Sequence, residues 1–322
     1  MRSIQTGVTV PLSSVKPLDR LMEYRAYCLE QTRKALQGSS RRRTHSPVSG
    51  AALEPFGLVE GLEYLRCPET GSWFLANLPD SHQWVRLLSE LNRFRQDPAS
   101  FHSRMAESRA SNVYVPKMEW IQEALRLQDL RRPRILEMAS APSAFSALLK
   151  ESGLFSEVLT EEEVAWVSGS QGTRSGEVEC ALLMEALDRS TDPESLLKEI
   201  HRQLSPEGLL FVTALVSSGF DMAVLELRNL YLFPPDRTNC FSLKGLTQLL
   251  ERHGFQPLEV STPGVLDLEI VRSHLTREPG LKLSSFERQL AQGDEQVQQA
   301  FQSFLQEQGL SSFARIVARK EK

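Results

Sequence analysis

The sequence ALLMEALDRSTDPESLLKEIHRQLSPEGLLFV occupies residues 181–212 and decides the fold. Its first residues end an apolar run at 176–184, and its last residues open another at 209–216, after the turn SPEG. Asp192 and Pro193 mark the start of a helix between the two runs. The second run is apolar throughout, which is typical of a central parallel strand covered on both faces.

The same alternation of strands and helices continues on both sides of this stretch. Further segments are predicted as a strand at 134–139, a helix at 142–149, a strand at 156–160, a helix capped by Ser242, a strand at 257–263, one long helix from Phe286 to Leu305, and a last strand at 312–320. This order predicts an α/β fold, with a mainly parallel sheet and helices on both faces. Ligands of such sheets bind beyond the carboxyl ends of the strands.

The chain before residue 131 divides into two less regular parts. Residues 1–53 predict an N-terminal helix followed by a flexible linker, because QGSSRRRTHSPVSG is rich in Ser, Gly and Arg. Residues 54–130 predict a small mixed section of short strands and then helices. Three adjacent arginines, Arg41, Arg42 and Arg43, fit either a solvated loop or a contact with a phosphate or an anionic polymer.

Composition excludes several classes of function. The net charge is -4 and the pI about 6.0, so no overall positive field favours nucleic acid or an anionic membrane. The N-terminus carries no apolar leader and no run is long enough to span a bilayer, which predicts a cytoplasmic protein. The four cysteines form no C-x-x-C pair, which argues against a disulfide framework and against a metal site.

Several segments resemble the class I S-adenosylmethionine-dependent methyltransferases, and within them the bacterial type that often acts on sugars or small metabolites. The resemblance is carried by 135–149, 181–212, 232–255 and 311–320, in that order. Within 181–212, the matching residues are Glu185, Leu187, Asp192, Pro193, Pro206 and Gly208. It implies that residues 131–322 form a Rossmann-like domain, whose final antiparallel strand at 312–320 lies beside 257–263.

The resemblance also implies a site for S-adenosylmethionine after the first and second strands of the domain. The family's pattern of an acid followed by G-x-G-x-G falls here on Glu137, Ala139, Ala141 and Ser143, so the acid is kept and small residues replace the glycines. Glu185, at the end of a later strand, is a further cofactor-binding candidate. An acid ending the second strand would take the ribose hydroxyls, and Glu161 or Glu162 fits that role. The same TEEE sequence also fits an ordinary charged loop or helix start.

Three further features depart from the family's pattern. Only about 15 residues separate Glu161 from Glu177, too few for the usual helix, strand and helix that enclose adenine. Arg237 stands where the family commonly has a histidine, and arginine cannot act as a base near neutral pH. Relatives often open with a zinc ribbon of the form C-P-x-C-G, whereas Cys67 is followed by Thr70 in place of the second cysteine.

Two functions from different classes follow. The first is a methyltransferase acting on a hydroxyl or amine of a small, sugar-like acceptor, with a general base that the sequence does not identify. The second is a catalytically inactive pseudo-methyltransferase that serves as a binding or assembly module for a protein partner. The missing glycines and the shortened adenine wall motivate the second hypothesis.

Overall fold

A computed structural model describes Leu12 and residues 18–97, 109–139, 144–162 and 176–322. The strands in these residues are β1 (Ser40–Arg42), β2 (Glu54–Val59), β3 (Leu62–Arg66), β4 (Trp73–Leu75), β5 (Asn77–Pro79), β6 (Arg134–Ala139), β7 (Glu157–Glu162), β8 (Val178–Met184), β9 (Leu204–Leu215), β10 (Asn239–Cys240), β11 (Phe255–Ser261) and β12 (Phe313–Lys320). The helices are α1 (Leu18–Leu36), α2 (Ser81–Gln96), α3 (Val115–Leu127), α4 (Ala144–Glu151), α5 (Ala186–Arg189), α6 (Pro193–Gln203), α7 (Phe220–Leu225), α8 (Leu243–Arg252), α9 (Asp267–Arg277), α10 (Ser285–Gln292) and α11 (Glu295–Glu307).

A six-stranded sheet forms the centre of the fold, in the order β11-β12-β9-β8-β6-β7. Strands β6, β7, β8 and β9 are parallel, and β12 runs antiparallel to both of its neighbours, β9 and β11. The predicted α/β fold, with a Rossmann-like sheet and a final antiparallel strand, is confirmed. The strands β8 and β9 are central because their side chains are apolar on both faces.

Helices cover both faces of this sheet. On one face, α3 and α4 bury Trp120 and Phe145 against the strands. On the other face, α6 and α8 bury Leu197 and Leu249. The leucines of α6 and α8 recur at helical spacing, so each helix presents one apolar side to the sheet. The two layers leave the carboxyl ends of the parallel strands as the edge at which a site is expected.

The predicted turn SPEG lies inside a strand instead of before it. Strand β9 begins at Leu204, and its pairing with β8 is interrupted by a shift in register: Val178 pairs with Leu204 but Cys180 pairs with Leu209. The extra residues on β9 form a bulge, in which Glu207 has a φ of 61°. The polar SPEG sequence therefore marks an irregularity within β9.

The single long helix predicted from Phe286 to Leu305 is two helices, α10 and α11. Gly293 ends the first, and the side chain of Asp294 starts the second by accepting a hydrogen bond from the backbone N–H of Val297 at 2.9 Å. An aspartate that satisfies a free N–H in this way favours a new helix start over continuation of the old one. Apolar spacing is preserved across the break, which explains the prediction of one helix.

The segment predicted as a flexible linker is partly a strand. Residues Ser40–Arg42 form β1 and pair with β5. The three arginines also bind within the protein: Arg41 donates to the carbonyl of Thr191, Arg42 pairs with Glu63 at 2.6 Å, and Arg43 donates to Asn239. Arg41 and Arg42 are solvent-exposed, as the solvated interpretation expects, but they lie in a strand and not in a loop, because interactions between segments distant in sequence override the loop-like composition.

The front of the chain shares a sheet with a loop of the Rossmann-like part. Strands β2, β3 and β4 form an antiparallel sheet whose fourth strand is β10, from the loop after β9. Strand β10 is only Asn239–Cys240, both buried. The boundaries predicted at residues 53 and 130 stay a prediction, but the front section is joined to the loop at 232–240.

Candidate functional site

Glu185 stands at the carboxyl end of a central strand, directly after β8. Its φ of 58° is in the left-handed region, which few residues other than glycine adopt. Its N–H donates to the carbonyl of Thr213 on β9 at 2.9 Å, so the turn is fixed to the neighbouring strand. The chain then enters the short helix α5, and the carboxylate of Glu185 is left at the edge of the sheet where ligands of such folds bind.

Arg237 reaches this strand end from the loop between α7 and β10. Its Nη2 donates to Oε2 of Glu185 at 2.6 Å, and its Nη1 lies 3.5 Å from Oδ2 of Asp188 on α5. Asp188 is fully buried, and the same Oδ2 accepts the backbone N–H of Leu215 at 2.9 Å. The residue that replaces the family's histidine therefore binds two carboxyl groups of its own chain.

The three charges shift one another's pKa values. Burial would raise the pKa of Glu185, but Arg237, Lys117 and Arg189 outweigh it and hold that pKa well below its usual range. Burial raises the pKa of Asp188 to about 8, although Arg237 opposes the change. One full negative charge, on Glu185, therefore faces Arg237 near neutral pH, because two buried carboxylates so close together do not both ionise easily.

The loop that carries Arg237 is also held from its other side by the front section. Asp236 Oδ1 accepts hydrogen bonds from Arg95 of α2 at 2.7 Å and from the hydroxyl of Tyr24 of α1 at 3.2 Å. The hydroxyl of Tyr64 on β3 donates to the carbonyl of Arg237 at 2.6 Å. Helices α1 and α2 thus help to position a loop at the carboxyl ends of the sheet.

Lys117 forms an unusual buried cation beside the same edge. It projects from α3, is 6% exposed, and its Nζ lies 6.0 Å from the ring centre of Phe145 and 5.6 Å from that of Phe313. Among the residues that the structure describes, no hydrogen bond to its ammonium group is found. Burial lowers the pKa of Lys117 to about 8, although the nearby charge of Glu185 favours the protonated form.

Arg315 on β12 extends this basic and aromatic wall. Its guanidinium lies 5.5 Å from the ring centre of Trp120 and 5.9 Å from that of Phe313. The indole N–H of Trp120 donates to Glu259 on β11 at 3.2 Å. A cation above an aromatic ring is attracted by the negative face of that ring. Lys117, Trp120 and Arg315 are all buried, so this cluster of cations and rings is part of the packing beside the strand ends.

Glu137 is the predicted cofactor residue with the clearest structural signal. It lies in β6, is 3% exposed, and its Oε2 has no hydrogen-bond partner in the described part of the chain. Burial raises its pKa, while Ser146, Lys150 and Thr160 oppose that rise. A buried carboxylate oxygen without a partner is costly unless something completes its hydrogen bonding.

The other predicted cofactor residues are placed as follows. Ala139 ends β6, next to Glu162 at the end of β7, and Glu161 of β7 pairs with Met138. Ala141 and Ser143 lie outside the described residues, as does most of the segment between Glu161 and Glu177. The strand order brings Glu137 and Glu185 to the same edge of the sheet, on the adjacent strands β6 and β8.

A comparison with protein families identifies the domain that carries this edge. A family model described as a methyltransferase domain matches residues 107–260, just under half of the 322-residue chain. The chain therefore contains a methyltransferase domain, and its strand order agrees with the Rossmann-like sheet expected of one. The matched region of this methyltransferase runs from just before α3 into β11 and includes Lys117, Glu137, Glu185 and Arg237.

Solved structures of low sequence identity resemble the methyltransferase. They include the 1,6-didemethyltoxoflavin-N1-methyltransferase of Burkholderia thailandensis (14% identity, 84% of this chain and 100% of that chain covered, TM-score 0.44) and an S-adenosylmethionine-dependent methyltransferase of Mesorhizobium loti (16% identity, 63% and 97% covered, TM-score 0.38). No curated protein matches the sequence. The assignment therefore rests on the domain match and on the strand order.

The cysteines, the possible metal ligands and the helices of this methyltransferase give further findings. Its four cysteines are buried and unpaired as disulfides, and no group of three or more His, Cys, Asp or Glu among the described residues could hold a metal ion. No described helix is both long and apolar enough to cross a bilayer.

Three residues of this edge were not singled out from the sequence: Lys117, Asp188 and Arg315. Lys117 had a visible signal, because it lies three and four residues before Trp120 and Ile121 and so shares their buried face. Asp188 lies inside the predicted motif but carries no sign of its burial. Arg315 alternates with apolar residues in β12, as an ordinary exposed position also would.

Proposed function

We propose that this methyltransferase transfers a methyl group from S-adenosylmethionine to a hydroxyl or amine of a small, sugar-like acceptor. The family assignment supports the reaction, and the single observation that carries the proposal for this chain is the unpartnered buried oxygen of Glu137. The bound cofactor supplies a methyl group on a positively charged sulfur. In this proposal, a cationic amino group of the cofactor completes the hydrogen bonding of Glu137.

The residues present fit the cofactor at two places. Glu137 offers a carboxylate at the end of the first strand of the domain, and Glu161 or Glu162 offers one at the end of the second. A carboxylate accepts hydrogen bonds through two oxygens, which suits an ammonium group or a pair of ribose hydroxyls. The backbone that follows Ala139 is the proposed contact for the amino-acid part of the cofactor.

Lys117 Nζ is the proposed acceptor of the proton that the hydroxyl or amine loses. An amine with a pKa near 8 is partly unprotonated at neutral pH, and a base is most effective when its pKa lies near the working pH. The rings of Phe145 and Phe313 flank the amine and keep bulk water away from it. In this proposal, Lys117 would take the acceptor's proton in this low-water environment.

The second candidate is a binding or assembly module with a protein partner. It is favoured by Arg237, whose guanidinium binds Glu185 and Asp188 at the strand ends, where a ligand would compete for Glu185. The lost glycines of the cofactor loop support the same interpretation. The cytoplasmic location, the small-molecule acceptor and the lack of a nucleic-acid partner stay predictions in both cases.

Calorimetric titration with S-adenosylmethionine and S-adenosylhomocysteine separates the two candidates. Methyl transfer predicts micromolar binding of both ligands, weakened at least tenfold by Glu137→Gln. The matched control is Glu157→Gln on β7, which removes a half-exposed carboxylate paired with Arg134 and should leave binding unchanged. The absence of any heat of binding at millimolar ligand would reject the methyltransferase hypothesis and leave the binding or assembly module.

A second measurement tests the role of Lys117. With a panel of small sugars and amines as acceptors, release of S-adenosylhomocysteine by the native protein identifies a substrate. Lys117→Met should then abolish turnover while the affinity for S-adenosylmethionine stays within about threefold. Full turnover by Lys117→Met across the pH range would show that another group takes the proton.

A further inference from the structure

Two five-residue turns in the front section have matching sequences. The first is SPVSG at residues 46–50, and the second is CPETG at residues 67–71, at the end of β3. In each turn proline occupies the second position and glycine the fifth. The first and fourth positions are Ser46 and Ser49 in one turn, and Cys67 and Thr70 in the other.

The two turns also have the same backbone structure. The matching hydrogen bonds are Ser46 N to Ala51 O and Cys67 N to Ser72 O, both 2.8 Å, and Gly50 N to Ser46 O and Gly71 N to Cys67 O, at 2.9 and 2.8 Å. The two glycines have φ values of 75° and 73°, in the region that glycine adopts without strain. The turns are therefore one structural unit used twice.

The side chains at the first and fourth positions face one another. Ser49 Oγ lies 3.5 Å from Cys67 Sγ. Burial would raise the pKa of the Cys67 thiol, but hydrogen bonds with Thr70, Ser49 and Ser46 outweigh it and lower that pKa. Cys67 is fully buried, and Ser46 and Thr70 are nearly so. One direct side-chain contact, Ser49 Oγ to Cys67 Sγ, thus joins the two turns, and Ser46 and Thr70 lie close enough to lower the pKa of the same thiol.

The distance between the two turns matches that between two ligands of a tetrahedral metal site. Ligand sulfurs lie about 2.3 Å from a zinc ion, so two of them are separated by about 3.8 Å. The distance between Ser49 Oγ and Cys67 Sγ is close to that value. The chemistry differs, because proteins bind zinc through thiolates, imidazoles and carboxylates, and three of the four groups here are neutral alcohols. The residues present do not fit a zinc ion.

We infer that the front section is a metal-site fold held together without a metal, in which Ser46, Ser49 and Thr70 occupy ligand positions and surround the Cys67 thiol with hydrogen bonds. The matched turns provide the geometry of a four-ligand site. Three hydroxyl groups take the place of the missing donors and link the turns through the sulfur. The inference is independent of the proposed methyl transfer.

The test restores the missing thiols in the full-length protein. The triple variant Ser46→Cys/Ser49→Cys/Thr70→Cys should bind one equivalent of Co²⁺ or Zn²⁺ per chain, with the visible absorption of tetrahedral cobalt bound to thiolates. Zinc should raise its Tm, and a chelator should reverse the rise. The native protein should show no tetrahedral cobalt spectrum at micromolar metal, and its Tm should not respond to a chelator.

A matched control carries three cysteines at scattered exposed serines, Ser81→Cys/Ser195→Cys/Ser285→Cys, and should give no such spectrum. Tetrahedral binding by the native protein would overturn the inference, as would a folded triple variant that binds no metal. If the triple variant folds neither with nor without zinc, Ser49→Cys/Thr70→Cys supplies three thiols and is assessed in the same way. Failure of both variants to bind counts against the inference.

Discussion

Arg237 donates to Glu185 across 52 residues of sequence, at 2.6 Å, and so fastens a loop to the carboxyl end of β8. The residue before it, Asp236, is bound from the opposite side by Arg95 of α2. Two adjacent residues of the loop thus join the central sheet to the front helices. The loop therefore connects the front section to the strand ends. A substitution on either side of the loop should affect the stability of both.

Removing Arg237 should destabilise the protein because the partly buried Glu185 carboxylate and the buried Asp188 carboxyl group lose their cation. The side chains of Arg237 and Glu185 are 12% and 26% exposed, so water relieves only part of the loss. We expect Arg237→Met to lower the free energy of unfolding by about 2–4 kcal/mol in urea denaturation. Arg93→Met is the matched control, since Arg93 pairs with Glu90 at the surface and should cost about 0–1 kcal/mol. Equal effects of the two variants would contradict the prediction.

Removing the hydroxyl of Tyr24 should loosen the other side of the loop. That oxygen accepts from Arg95 Nη2 at 2.6 Å and donates to Asp236 at 3.2 Å, so one hydroxyl joins both members of the ion pair. Tyr24→Phe should cost about 1–3 kcal/mol of unfolding free energy, because buried charged groups are left with fewer partners. Tyr27→Phe removes a hydroxyl from the same helix and should change stability by less than about 0.5 kcal/mol. An unchanged free energy of unfolding in Tyr24→Phe would show that Arg95 and Asp236 bind each other equally well without the hydroxyl.

The central sheet was predictable from the sequence because its strands are local apolar runs separated by capped helices. Glu137 and Glu185 could be placed near its carboxyl edge for the same reason, since Glu137 lies two residues before the end of β6 and Glu185 directly follows β8. Asp192 and Ser242 also act as the predicted helix caps, each accepting a backbone N–H three residues on. These features depend on neighbours within a few residues.

The role of the loop was not predictable, because it depends on contacts between distant segments. Strand β10 consists of two residues and exists only by pairing with Trp73 and Phe74 of β4. The partners of Arg237 are likewise decided by the fold as a whole. Local composition indicated a linker at Ser40–Arg42, and pairing with β5 overrode it.

Asp221 provides a test of burial in a second acidic cluster. It is fully buried on α7, and its Oδ2 accepts from Asn229 at 2.9 Å, while nearby Asp267 accepts the N–H of Ser312 at 2.7 Å. Burial and the negative charge of Asp267 raise the pKa of Asp221 well above its usual range. The folded state therefore holds a proton that the unfolded state releases above about pH 4.

The native protein should accordingly lose stability as the pH rises from about 4 towards neutrality, and Asp221→Asn should lose less. The stability of the variant relative to the native protein, measured by urea denaturation at several pH values, should increase across this range. Asp19→Asn, at an exposed position on α1, should show no such trend. A constant difference between Asp221→Asn and the native protein would mean that Asp221 is ionised in the fold.

Lys117 should produce a pH dependence of the opposite sign. Its pKa falls to about 8 in the fold from an ordinary value near 10.5, so the folded state releases a proton that the unfolded state still holds between these values. The native protein therefore gains stability as the pH rises through this range, by at most about 3 kcal/mol. Lys117→Met has no such group, and its stability relative to the native protein should fall by about that amount between neutral pH and about pH 10.

The groups around Lys117 decide the size of this effect. Glu185 favours its charge, whereas Arg109, Arg189 and Arg315 oppose it. Changing Glu185 to Gln should therefore lower the pKa of Lys117 further, and this variant should gain stability over a wider pH range than the native protein does. Lys198→Met removes an exposed lysine on α6, and its stability should change with pH in the same way as that of the native protein. If the stability of Lys117→Met also follows that of the native protein at every pH, the Lys117 amine stays protonated in the fold and cannot accept a proton near neutral pH.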